Sequence, residues 1–173
     1  MILSTEGFVL RKRVLLGADV MVVLMTREFG KLVAIAKGMR TFRSKRAAHL
    51  QTGNLVNMTL HQSTSGAYYI QSTDLISGFT EIRTQENIKG IYTLLSIVDT
   101  LLPEGQTEDE VYKLTKLFFI RSARKENPDS ILHSTFQSIL MELGYIQQAL
   151  TLSELFDVVE EHAGVKVSRH VIM

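Results

Sequence analysis

Val20-Met-Val-Val-Leu-Met-Thr-Arg-Glu-Phe-Gly-Lys-Leu-Val-Ala-Ile-Ala-Lys37 decides the fold. Two aliphatic, β-branched runs stand on either side of Glu28-Phe-Gly, and a glycine in that position supplies the left-handed residue of a hairpin turn. Outward from this pair, residues 7–13, 54–61 and 66–73 have the same character, and Ser63-Thr-Ser-Gly66 marks a second hairpin. Five strands lie in the first half, with one longer irregular connection over 38–53. That count suits a small closed barrel, and the OB type is the expected form.

After Phe79 the apolar period becomes helical. Ile88, Ile91, Tyr92, Leu95, Val98 and Leu102 recur at i, i+3 and i+4, and Pro103 with Gly105 ends the run. Thr107-Glu-Asp-Glu110 has the spacing of a capping box, which predicts a second helix to about residue 126. Asn127-Pro128 opens a third helix that Gly144 closes, and Thr151-Leu-Ser-Glu154 opens a fourth ending near Gly164. The expected architecture is α+β: a five-stranded OB-type barrel over 1–83, then an α-helical bundle over 84–173. Residues 165–173 are assigned to no element.

The 173 residues are 45% hydrophobic and 21% charged, which excludes disorder as the main state. The longest apolar run, Val20 to Met25, is far too short to span a membrane, and the first residues carry no basic leader. A cytoplasmic chain without membrane partners is expected. With no cysteine there is no thiol nucleophile or Cys-based zinc site. Glu160, Glu161, His162 and His170 are read as a polar helix end rather than a metal site. No nucleophile elbow, Walker loop or dinucleotide fingerprint occurs, and the acids at 108–110 suit the first turn of a helix. The expectation is a protein without catalytic activity or cofactor.

Charge is divided between the halves. Residues 1–83 carry eleven Lys or Arg against five Asp or Glu, a surplus of six, while 84–173 carry eight against thirteen. A basic module of this kind meets polyanions. Its densest segment, Lys37-Gly-Met-Arg-Thr-Phe-Arg-Ser-Lys-Arg46, places Lys37, Arg40, Arg43, Lys45 and Arg46 around Phe42 without an acid. Cations for phosphates and an aromatic for a base are the parts of a single-strand binder. Strict alternation puts Arg11 and Arg13 on one face of the first strand with Val9, and Phe8, Leu10 and Lys12 on the other. Arg27 and Lys31 flank the first hairpin and would join the same basic surface once the barrel closes. Tyr68 and Tyr69 point to opposite faces, one for the core and one for stacking, with either assignment open.

On the second helix, Lys113, Lys116 and Arg124 fall within an arc of about 80°, with Leu117 and Ile120 beside them. Either the two apolar residues face the bundle and the cations ring it, or the five form a docking site for an acidic peptide with a hydrophobic end.

Glu6-Gly-Phe-Val-Leu-Arg11, Ala18-Asp-Val20, Thr26-Arg-Glu-Phe-Gly-Lys-Leu32, Ala36-Lys-Gly-Met-Arg40 and Leu101-Leu-Pro-Glu-Gly105, in that order, resemble the RecO family of DNA-repair recombination mediators. Leu140-Met-Glu-Leu-Gly-Tyr145 looks like the family's closing helix, while Gly17-Ala-Asp19 replaces the family's usual Gly-Glu-x-Asp. The resemblance implies an OB-fold domain and a helical domain that bind single- and double-stranded DNA and anneal complementary strands. It also implies that the protein works with RecR to help RecA replace the single-strand-binding protein, whose acidic, phenylalanine-ended tail would suit the helical site. The chain is several tens of residues shorter than typical members and lacks their frequent four-cysteine zinc site, so zinc is not carried over. The competing reading is an OB-fold adaptor that receives an acidic protein tail, and RNA is not separable from DNA by composition.

Overall fold

The computed structural model describes residues 1–39, 45–78 and 85–167. Strands β1 (Ile2–Val14), β2 (Val20–Thr26) and β3 (Gly30–Ala36) form an antiparallel meander. The short helix α1 (Lys45–His49) precedes a second hairpin of β4 (Leu55–Gln62) and β5 (Tyr68–Ser77), and the sheet closes as a barrel in the order β1-β2-β3-β5-β4. Two features allow closure. The long β1 pairs through its first half with β4 and through its second half with β2, and Gly7 belongs to both ladders. A β-carbon at Gly7 would lie 2.9 Å from the Met25 carbonyl oxygen, so only glycine lets the strands approach this closely at the bend. The second feature is a short parallel seam between β3 and β5, limited to Ala34 with Tyr68 and Ile35 with Tyr69.

The barrel interior is filled by alternate residues of every strand, among them Val9, Val22, Leu24, Ala34, Val56, Met58, Leu60 and Ile70. Burying each large aliphatic side chain contributes about 1.5–3 kcal/mol relative to leaving it in water. Leu50, just after α1, is fully buried in the same cluster. The expected hairpin glycines have positive φ, +67° at Gly30 and +88° at Gly66.

The chain forms two units, Met1–Gly78 with Leu102–Thr107, and Phe79–Leu101 with Glu108–Met173. The expected boundary at 83/84 lies outside the described residues. The return of Leu102–Thr107 to the barrel has no counterpart in the sequence reading. There the Gly105 amide donates to the Lys31 carbonyl at 2.8 Å, and Glu104 bridges Lys31 in parallel along the β3 edge. Gly30 seats this strip, since a β-carbon there would fall 2.0 Å from the Gln106 carbonyl oxygen.

The helical unit consists of α2 (Gln85–Leu101), α3 (Asp109–Ala123), α4 (Pro128–Glu142) and α5 (Leu152–Ala163). Phe118 meets Phe119 edge-on at 5.7 Å, and Phe136 meets Phe156 at 5.2 Å. Two expected caps form: Asn127 accepts from the Ser130 amide ahead of Pro128, and Thr151 with Glu154 makes a reciprocal capping box. The third does not. The cap of α3 is Glu108, with no side-chain capping hydrogen bond, and Thr107 groups with the strip on the barrel. Tyr92, expected on the buried face of α2, is 44% exposed, while Leu94 and Ile97 are buried in addition to the expected positions. No helix among the described residues is long and apolar enough to cross a membrane.

Candidate nucleic-acid interface

Strand register builds a surface that no single segment displays. Arg13 pairs with Met21, Met21 with Ile35, Ile35 with Tyr69, and Tyr69 with His61. Cross-strand partners share a face, so these five side chains make one row across four sheet boundaries. The rows on either side, through Val22 and Ala34 and through Val20 and Ala36, face the barrel interior. The Arg13–His61 row therefore lies on the outer surface.

The register also assigns the tyrosines. Tyr68 packs against the barrel core, and Tyr69 lies outside with the Lys37 ammonium 4.8 Å from its ring centroid. A half-buried tyrosine beside a cation can stack on a base while the lysine meets a phosphate.

The strict alternation expected for β1 is broken by a bulge between Val9 and Arg11. Val9 stays in the core, while Arg11 pairs with Val23 and Arg13 with Met21, so the two arginines share a face with each other but not with Val9. One extra residue changes which side each later side chain takes. Lys12 extends along the opposite row, and its ammonium donates to Gln51 Oε1 at 2.6 Å. Partial burial lowers its pKa from the ordinary lysine value.

The base of the basic segment is held in place. Asp19 Oδ1 accepts the Gly38 amide at 3.0 Å, Gly38 has φ +66°, and Met39 is buried in the core. Arg46 donates to the carbonyls of Ile70 and Lys37, both at 3.2 Å, which ties α1 to the ends of β3 and β5. His49 Nδ1 lies 3.0 Å from the Thr73 carbonyl and hydroxyl oxygens, and Asn54 donates to the carbonyls of Ala48 and His49. Arg46 is thus an anchor with donors to spare, and Lys45 is exposed. Arg40, Phe42 and Arg43 lie outside the described residues.

Arg27 and Lys31 do not join this surface. The register puts Thr26 opposite Gly30 at one end of β2 and β3, and Val20 opposite Ala36 at the other. At 3.4 Å per residue, Lys31 sits about 20 Å along the sheet from Lys37. The hairpin end also carries acids. Glu28 is hydrogen-bonded to Thr5, and Glu104 lines with Lys31 a cleft of ≈ 300 Å³. Barrel closure brings strand edges together and leaves strand ends apart, which is why the expected merger fails.

On α3 neither apolar residue of the five is buried. Leu117 is 48% exposed and Ile120 40%, so neither faces the bundle core. At 100° per residue, Lys113, Leu117, Ile120 and Arg124 fall within about 60°, a single stripe, with Lys116 at its border. Lys113 also pairs with Glu110 one turn earlier. At the end of α5, Glu160 accepts the Val167 amide, and His170 lies outside the described residues. Among the described residues no group of three or more His, Asp or Glu comes together as a metal site.

The row residues Met21, Ile35 and His61 were not singled out by sequence, because only the register between strands gives them a common face.

Residues 1–79 match the family model described as recombination protein O, N-terminal. The chain is 31% identical over 154 residues to a DNA repair protein RecO of Alkaliphilus metalliredigens, covering 87% of this chain and 61% of that protein. It is 30% identical over 146 residues to the RecO of Symbiobacterium thermophilum, covering 82% and 56%. With the RecO of Syntrophobacter fumaroxidans it shares 34% over 113 residues, covering 65% and 45%. The chain thus spans roughly half the length of these relatives. A five-stranded barrel followed by helices, a family model over the barrel and relatives that extend the match into the helices agree: the chain belongs to the RecO family.

Proposed function

We propose that this protein is a non-catalytic DNA-binding and strand-annealing mediator of recombinational repair that acts in the cytoplasm and helps RecA load onto single-stranded DNA. The observation that carries the reading is the outer row of the barrel, with Arg13 at one side, Tyr69 under Lys37 at the other, and Lys45 and Arg46 beside them. Phosphates of single- or double-stranded DNA meet the cations, and an unpaired base meets the tyrosine. The relatives' printed name, DNA repair protein RecO, supports the biological setting. RecR is the partner that family membership suggests.

The exposed stripe on α3 supports a second contact. Lys113, Lys116 and Arg124 around Leu117 and Ile120 suit the acidic, hydrophobic-ended tail of the single-strand-binding protein. The adaptor reading differs in placing such a tail on the barrel itself.

Titration of labelled single-stranded and duplex oligonucleotides at three salt concentrations tests the main reading. With about six phosphate contacts, affinity falls on the order of 10³-fold between roughly 50 and 200 mM salt. Binding that is flat in salt, or a single acidic peptide bound per barrel with no oligonucleotide bound, would overturn it.

A further inference from the structure

The turn between β1 and β2 carries an apolar tip that neither DNA annealing nor tail binding uses. Leu16 is fully exposed, and Val14 at the end of β1 is 58% exposed. The turn is tied at both sides. The Leu15 amide donates to the Asp19 carbonyl at 3.0 Å, Gly17 takes the left-handed conformation at φ +81°, and Asp19 Oδ1 accepts the Gly38 amide. The bond to Gly38 joins the tip to the segment that begins with Lys37. Arg13 is exposed three residues before Leu16. The carboxylate at the tip is therefore occupied at Gly38, while cations lie on both approaches.

We propose that this turn is a wedge. Leu16 inserts between the last base pair of a duplex end or junction and the pair beneath it, while Arg13 and Lys37 meet the flanking phosphates, so the barrel unstacks terminal pairs as well as binding strands. The inference rests on the DNA-binding reading above. A solvated leucine gains by burial against any apolar face, and unstacked bases offer one. Apolar side chains inserted between base steps are an established way for proteins to part a stack. The cationic surroundings favour a polyanion over an uncharged partner as what meets the tip. A step parted in this way is also a step at which a second strand can exchange.

The test uses the full chain and a forked duplex with 2-aminopurine at the last paired position. Binding of the parent protein should raise its fluorescence as stacking is lost. Leu16→Ser, a change at a solvent-exposed site, should reduce that rise about threefold or more while single-strand affinity stays within about twofold, and Leu16→Phe should restore it. An undiminished rise with Leu16→Ser would overturn the wedge and leave the DNA-binding reading standing. No binding of any oligonucleotide by the parent would instead overturn the reading beneath it. A parallel arm with anionic lipid vesicles gives a third outcome: Leu16-dependent vesicle capture without duplex unstacking would overturn the wedge in favour of a lipid surface.

Discussion

Several cations of the barrel and of the helical unit are held by different kinds of partner. In the helical unit cations meet carboxylates, Lys113 with Glu110 and Arg121 with Glu126 at 2.7 Å. In the barrel, Lys12 meets a glutamine, Lys37 an aromatic ring and Arg46 two carbonyls. A cation beside a carboxylate has its field cancelled locally, whereas one bonded to neutral groups is held in position and keeps its attraction for an anion. The first arrangement stabilises a fold slightly at the surface. The second prepares a binding face.

The largest effect should come from reversing the barrel's charges. Arg13→Glu, Lys37→Glu and Lys45→Glu together should weaken oligonucleotide binding by about 100-fold or more at moderate salt, since three phosphate contacts become repulsions. Reversing three cations of the helical unit should change it far less, and equal losses in filter binding would break the comparison. Next, Tyr69→Ala should weaken single-strand binding about tenfold and duplex binding much less, because paired bases have no free face for the ring. Phe42→Ala is expected to act in the same direction. Equal losses on both DNA forms, measured by anisotropy, would make Tyr69 a packing residue.

The helical stripe sharpens the contrast from the other side. A synthetic acidic peptide ending in phenylalanine should bind with Kd near 1 μM, about −8 kcal/mol. Lys116→Glu with Arg124→Glu should reduce that affinity roughly tenfold and leave oligonucleotide binding by the barrel nearly intact. Calorimetry showing no peptide binding to the parent chain at low salt would remove the assignment.

The smallest effect concerns the cap of α5. Hydrogen bonds from the Thr151 side chain, then its backbone amide, lower the Glu154 pKa. A carboxylate whose folded pKa is depressed contributes stability that is fully present above its unfolded pKa, near 4.5, and is lost as pH falls through the lower folded value. Thr151→Ala should lower Tm by roughly 2–4 °C at neutral pH and make stability less dependent on pH below about 4.5. An unchanged acid limb in thermal melts would show that the capping box does not couple to folding.

Periodicity and turn residues were enough to read the five strands, the four long helices and the caps at Asn127 and Thr151. These are local patterns, satisfied within a few residues of themselves. The features that escaped depend on a partner distant in sequence. The β1 bulge exists only against β2, and Tyr69 is the outer tyrosine only because Ile35 lies beside it. Helix α1 has five residues and no period of its own, and it is fixed by the bonds from Arg46 and His49 to β5. Thr107 has the same motif as Thr151 but groups with the barrel, and Glu108 takes the cap position. The cations of the interface were legible as a composition, but their division between two ends of the barrel was not.

The strip Leu102–Thr107 bears on how the protein avoids sticking to itself. Since β5 reaches β3 only at Ala34 and Ile35, the beginning of β3 would be a sheet edge, and such edges recruit strands from other molecules. Here the Lys31 position is occupied by a piece of the chain lying between two helices of the other unit. Were α2 and α3 to melt ahead of the barrel, the strip would lose its anchor at both ends and the edge would be uncovered. Self-association on warming should then begin with loss of the helices, and a fragment limited to residues 1–83 should aggregate at concentrations at which the whole chain does not.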